Sequence, residues 1–180
     1  MRGWLKSMNN KPLILLVGKS GSGKTTIAEY LEKHYGMKML ESYTTRKPRY
    51  EGEKGHTFIT YNEYLQLQNK VGVTYFDGKY YCCTQEQCDN SDVYVIDPDG
   101  IAVFRRNYKG NRKHIIVYLK VSPFARFFRM IKRGDGICHA IDRIIHDHKK
   151  FGNFEKKPYV HVLKRDTISS IAAKIYDKVV

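Results

Sequence analysis

Leu13 to Val17 (Leu-Ile-Leu-Leu-Val) is an unbroken apolar run between Pro12 and Gly18. A short run with no polar alternate predicts a strand buried on both faces, as in a parallel sheet. From Lys24 the period changes. Ile27, Ala28 and Leu31 fall on one helical face, and Gly36 supplies a stop. Strand, glycine-rich loop and helix open a βαβ unit. The same rhythm returns near residue 92. Val93 to Ile96 predicts a strand, and Asp97-Pro98 an N-cap with a first-turn proline. His114 to Val121 predicts the next strand, and Ser122-Pro123 caps a helix that runs to about Lys132. Arg133-Gly-Asp-Gly136 breaks it, and a further helix spans about Cys138 to Lys150. Tyr159 to Leu163 predicts a last strand. Ile168, Ile171, Ala172, Ile175 and Val179 form the apolar stripe of a closing helix. Alternating strands and helices imply an α/β fold, a parallel sheet flanked by helices.

The stretch from Ser42 to Asn90 has another texture, rich in Tyr, Gly and charge, with no long apolar run. Thr60-Tyr-Asn-Glu63 has the form of a capping box, and Thr84 to Gln87 caps a second short helix. Val71 to Phe76 and Lys79 to Cys83 flank Asp77-Gly78, which predicts a hairpin. The expectation is one domain over 1–180: a core of 11–41 and 92–180, a small α+β insertion at about 42–91, and a short lid at about 132–142.

Charge narrows the choice of partner. The chain has 180 residues and a formal net charge of +14, which calls for an anionic partner. Charge alone does not choose between nucleotide, nucleic acid and an acidic surface. No apolar stretch approaches the ~18 residues of a transmembrane helix, so no membrane partner is expected. Met1 to Pro12 is basic and lacks a leader's apolar centre, and it reads as a short solvated tail. Cys82, Cys83, Cys88 and Cys138 form no C-x-x-C pair and read as free thiols in a reducing cytoplasm.

Gly18-Lys-Ser-Gly-Ser-Gly-Lys24-Thr25 matches G-x-x-x-x-G-K-[ST] between the predicted strand and helix. Glycines let successive backbone N–H groups curl toward phosphate oxygens, and the helix N-terminus adds its positive end. Gly18, Ser20, Gly21, Ser22, Gly23, Lys24, Thr25 and Thr26 are therefore the candidate ATP-binding set. Lys24 reaches the β- and γ-phosphates, and Thr25 places its hydroxyl on Mg²⁺, the expected cofactor.

Ser42-Tyr-Thr-Thr-Arg46-Lys-Pro-Arg49 follows this loop at a telling distance and resembles the guanylate kinase family. Gly52-Glu53 and Phe58 continue the likeness. So do Lys79-Tyr-Tyr81-Cys-Cys83-Thr84, Ile96-Asp97-Pro-Asp-Gly100, Arg129-Met-Ile-Lys-Arg133-Gly and Ile141-Asp-Arg143. The resemblance implies a P-loop NTPase core with an insertion that binds a nucleoside monophosphate. The implied reaction is ATP-dependent phosphoryl transfer to GMP or dGMP. It makes Ser42, Arg46, Arg49 and Tyr81 the clamp for the acceptor's phosphate. It adds His56, Cys83 and Asp97 to the acceptor side. Arg129, Arg133 and Arg143 become catalytic partners of Lys24, facing the ATP phosphates as the lid closes.

The residue types suit that reaction independently. A phosphate monoester is already ionised, so no general base is needed, and catalysis reduces to positioning and charge stabilisation. The chain departs from the family at the base pocket. The family's guanine-binding glutamate aligns with Gly72, its tyrosine after the arginine segment with His56, and its small Ser/Thr with Cys83. Asp77 and Glu63 are the candidate replacement carboxylates. Tyr75, Phe76, Tyr80 and Tyr81 either stack a base or fill the hairpin core. Arg106 and Arg126 read as solvated surface charges. His139, Asp142 and His146 share a helical face but lack further ligands at metal spacing. The alternative readings are another (deoxy)nucleotide or a nucleic-acid end as acceptor, or a non-catalytic binding module.

Overall fold

The computed structural model describes residues 11–180. The tail reading falls on residues 1–10, outside the described residues. The elements in chain order are β1 (Leu13–Gly18), α1 (Lys24–Tyr35), β2 (Ser42–Thr44), β3 (His56–Phe58), α2 (Tyr61–Gln66), β4 (Thr74–Phe76), β5 (Lys79–Cys82) and α3 (Gln85–Asp89). There follow β6 (Val93–Val95), α4 (Pro98–Asn107), β7 (His114–Lys120), α5 (Pro123–Lys132), α6 (Ile137–Phe151), a 3₁₀ turn (Phe154–Lys156), β8 (Val160–Lys164) and α7 (Ile168–Tyr176).

Four strands form a parallel sheet in the order β6-β1-β7-β8. β1 is central and every one of its residues is buried. Its alternate side chains feed two cores. Leu13, Leu15 and Val17 pack with Tyr94, Phe104, Tyr118 and Phe151 on one face. Ile14 and Leu16 pack with Ile27, Leu31, Ile171 and Ile175 on the other. Each such aliphatic side chain stabilises the fold by ~1.5–3 kcal/mol. The result is a P-loop NTPase-type α/β core, with helices on both faces placing the strand ends toward one cleft.

A second sheet has the order β3-β2-β5-β4, with β2 parallel to β3 and antiparallel to β5. Asp77 and Gly78 join β4 to β5 with φ of 50° and 70°, the left-handed pair that an Asp-Gly hairpin uses. The three-residue β3 carries no alternation long enough to show in the sequence. Both capping boxes form: Thr60 with Glu63, and Thr84 with Gln87. Tyr80 stacks on Tyr64 at 4.5 Å and lies 4.8 Å from Tyr75, so these tyrosines pack on the hairpin. Phe76 and Tyr81 instead line the cleft between the sheets.

All four cysteines are free, and Cys83 and Cys88 are thiol neighbours at 3.4 Å. Among the described residues, no helix is long and apolar enough to cross a membrane. Nor does any group of three His, Cys, Asp or Glu there stand ready to hold a metal.

Candidate active site

The loop between β1 and α1 is shaped by its glycines. Gly21 and Gly23 have φ of 73° and 92°, the left-handed region that a side chain disfavours. A Cβ on Gly21 would also lie 2.8 Å from the Arg126 carbonyl oxygen, so α5 packs directly on the loop. α1 starts at Gly23 with no capping side chain. Its first N–H groups are left for an anion, with the helix dipole behind them. Lys24 Nζ donates to Gly18 O at 2.7 Å and Lys19 O at 3.4 Å. Burial lowers its pKa to about 8, against the opposing pull of Asp147.

Two expectations about α5 need correction. Arg126, read as a surface charge, is 2% exposed and paired with Asp147 at 3.0 Å. Its partner lies on another helix, which no pattern within α5 reveals. Arg129 donates from Nη1 to Gly21 O at 3.3 Å and Ser22 O at 3.1 Å. It holds the loop's carbonyls and lines a groove with Thr26 and Ile27, not the main cleft. Arg129 and Arg133 therefore have different partners. Arg133 caps α5 and pairs with Asp135.

The main cleft gathers Gly18, Ser20, Lys24, Ser42, Arg49, His56, Tyr81, Asp97 and Arg143, residues from both sheets. Arg143 reaches Ser20 Oγ at 3.4 Å. Arg49 lies close enough to Arg46, Arg143 and Arg133 that their charges add to burial in lowering its pKa. This concentration of cations is what an incoming phosphate relieves. Arg46 does not line the cleft. It forms a bidentate pair with Glu53 at 2.7 and 2.8 Å and lies 5.1 Å over the Phe58 ring. Glu53 also accepts from the Arg49 backbone at 2.8 Å and from its Nη1 at 3.2 Å. Burial opposes the charge of Glu53, but these hydrogen bonds win and hold its pKa at about 2. Sequence reading noted Glu53 only as part of the likeness; the structure makes it the anchor of both arginines.

His56 shares a 2.9 Å hydrogen bond with Ser42 Oγ. Burial, then Arg46, pushes its pKa down to about 4. Its neutral ring fits between two arginines where an imidazolium would not. In the unfolded chain the ring takes a proton near 6.5. Between those values the unfolded state binds the extra proton. The stability His56 contributes is therefore full above pH ~6.5 and lost as pH falls toward 4. We expect His56→Phe to flatten the urea midpoint against pH across that window. An unchanged acid slope would contradict this.

The far end of the cleft differs from the carboxylate pocket anticipated. The Tyr94 hydroxyl donates to Gly72 O at 3.4 Å, and a Cβ on Gly72 would lie 2.9 Å from that oxygen. Tyr94 thus fills the space beside Gly72, and burial keeps its phenol protonated. Cys83 sits behind Tyr94, fully buried. Neither proposed carboxylate lines this cleft. Glu63 closes its capping box through Thr60 N at 2.6 Å and Thr60 Oγ1 at 2.8 Å. Asp77 lies in a separate groove with His139 and Asp142. Asp97 is present but engaged. Oδ1 accepts from Gly100 N at 2.7 Å and Thr74 Oγ1 at 3.1 Å, and Oδ2 from Lys150 at 2.9 Å. Lys150 and Tyr94 are cleft residues that the sequence does not mark, one at the end of α6 and the other within a core strand; His146, noted there only on a face short of metal ligands, lines the cleft as well.

No protein-family model matches the chain. It is 26% identical to a guanylate kinase of Clostridium acetobutylicum, over 93% of this chain and 85% of that one. Its fold matches the crystal structure of guanylate kinase from Anaplasma phagocytophilum with a TM-score of 0.60. That alignment has 20% identity and covers 93% of this chain and 85% of the other.

Proposed function

We propose that this guanylate-kinase-like chain transfers the γ-phosphoryl group of ATP to a nucleoside monophosphate. One observation carries the reading. A phosphate loop with Lys24 and Arg143, and an acceptor side with Ser42, Arg49 and Tyr81, open into one cleft. ATP binds along the loop, and the acceptor's phosphate enters beside Arg49. Thr25 and Asp97 would supply hard oxygens of the kind Mg²⁺ takes alongside phosphates, and the bound ion would screen the phosphates' charge. Lys24 and Arg143 stabilise negative charge on the transferring group. Arg133 joins them if the segment between Gly134 and Gly136, with φ of 91° and 77°, swings inward as a lid. The acceptor oxygen attacks as the ion it already is, so no side chain needs to remove a proton.

Base choice follows from the far end of the cleft. Guanine presents N–H donors; at that end Tyr94 donates its own proton, and the Asp97 carboxylate is already shared among Gly100, Thr74 and Lys150. An unpaired buried donor costs ~1–3 kcal/mol, roughly tenfold to a hundredfold in preference. We therefore expect relaxed base choice. A coupled ATP-consumption assay over all ribo- and deoxy-monophosphates tests both levels. ADP formation that depends on several monophosphates, with GMP favoured over AMP by less than about tenfold, is the expected result. No acceptor-dependent turnover overturns the kinase reading. Preference for GMP beyond about a hundredfold overturns only the base argument. A polynucleotide end as the true acceptor would show itself by steep salt dependence.

A further inference from the structure

The phosphate loop is gripped by a buried ion pair that phosphate chemistry does not call for. The Ser20 N–H donates to Asp147 Oδ2 at 2.7 Å. The same Oδ2 accepts from Arg126 Nη1 at 3.0 Å, and Nη1 also reaches Ser20 O at 3.3 Å. One buried pair, with one member on α5 and the other on α6, thus engages both backbone groups of a single loop residue. One turn along α5, Arg129 takes the carbonyls of Gly21 and Ser22. Three consecutive carbonyls are therefore tied to α5, on the side where Gly21 touches the Arg126 backbone. In a loop that cradles an anion, successive amides converge on it, and carbonyls fixed outside leave those amides aimed inward.

The pair is an expensive way to join two helices. Both ions lose water, and Arg126 Nε has no hydrogen-bond partner among the described residues. Apolar side chains of similar volume would hold α5 to α6 at least as well. What they would not supply is a grip on Ser20. The pair is also neutral as a unit, so Asp147 lines the cleft beside Lys24 without adding a net negative charge against ATP. We infer that Arg126 and Asp147 are positioning residues that preset the phosphate loop for a nucleoside triphosphate by fixing the Ser20 peptide. This deepens the ATP site of the kinase reading and rests on it.

The test compares Mg-ATP binding by calorimetry in wild type and two double variants. Arg126→Leu/Asp147→Ala removes charge and grip together. Arg126→Met/Asp147→Asn removes the charge but keeps an acceptor for the Ser20 N–H. We expect the first to melt near wild type yet bind ATP about tenfold to a hundredfold more weakly, as a loop that must order on binding does. The second should recover to within about threefold of wild type. Wild-type affinity in the first variant overturns the inference. So does an equal loss in both, which would trace to packing. If the first variant does not fold, hydrogen exchange in nucleotide-free wild type decides. Strong protection of the Ser20 amide supports the grip, and exchange at an open-loop rate overturns it. Failure of wild type itself to bind ATP would instead sink the kinase reading.

Discussion

Replacing Lys24 with alanine should reduce phosphoryl transfer by about 10²–10³-fold while leaving the protein at least as stable as before. The two halves of this result have one cause. Lys24 lies beneath the loop, donating to Gly18 O and Lys19 O, and burial lowers its pKa to about 8. At pH 7 it is still an ammonium, in a place that disfavours one. For a lysine with a lowered pKa, the folded state carries a penalty below that pKa, relieved as pH rises toward the unfolded value near 10.4. Alanine removes the penalty together with the charge. The transferring phosphoryl group loses the cation held beneath the loop, and Arg143, which reaches the loop from α6, is left to act alone. Steady-state kinetics and a melting curve of Lys24→Ala check both halves. Near-wild-type turnover would remove the phosphate loop from the mechanism.

The parts of this molecule that sequence made visible are those set by local chemistry. The loop glycines, the proline-first helices after Asp97 and Ser122, and the Asp77-Gly78 hairpin are each specified within a few residues. What stayed hidden depends on partners far along the chain. Arg126 looks like any helix-surface arginine until Asp147 arrives from α6. Tyr94 reads as core filling until Gly72, 22 residues away, leaves room for its hydroxyl. Glu63 is instructive because its signal was present. The Thr60-x-x-Glu63 motif that predicted a capping box already committed this carboxylate to the helix end. A side chain closing a cap is not free to read a base. Arg46 and Glu53 show the same limit from the other side. Their spacing resembles the family's, but only the folded loop shows that Glu53 holds both arginines.

That clamp sets up the second large effect, on the acceptor. Arg49 lines the cleft with a side chain 35% exposed and a single 3.2 Å contact from Nη1 to Glu53. Most of its fork is free for phosphate oxygens. Arg46, at 9% exposed, has both terminal nitrogens on Glu53. Arg49→Lys keeps the charge but loses bidentate geometry. A charge-assisted hydrogen bond is worth ~1.5–3 kcal/mol, so the acceptor KM should rise about tenfold to a hundredfold with the ATP KM nearly unchanged. Arg46→Lys should act differently. It loosens Glu53 and so lowers the melting temperature, and it weakens acceptor use only through the displaced Arg49. A larger acceptor effect from Arg46→Lys would mean that Arg46 leaves Glu53 to grip the phosphate itself. If either variant raises the ATP KM and spares the acceptor, the two ends of the cleft have been assigned the wrong way round.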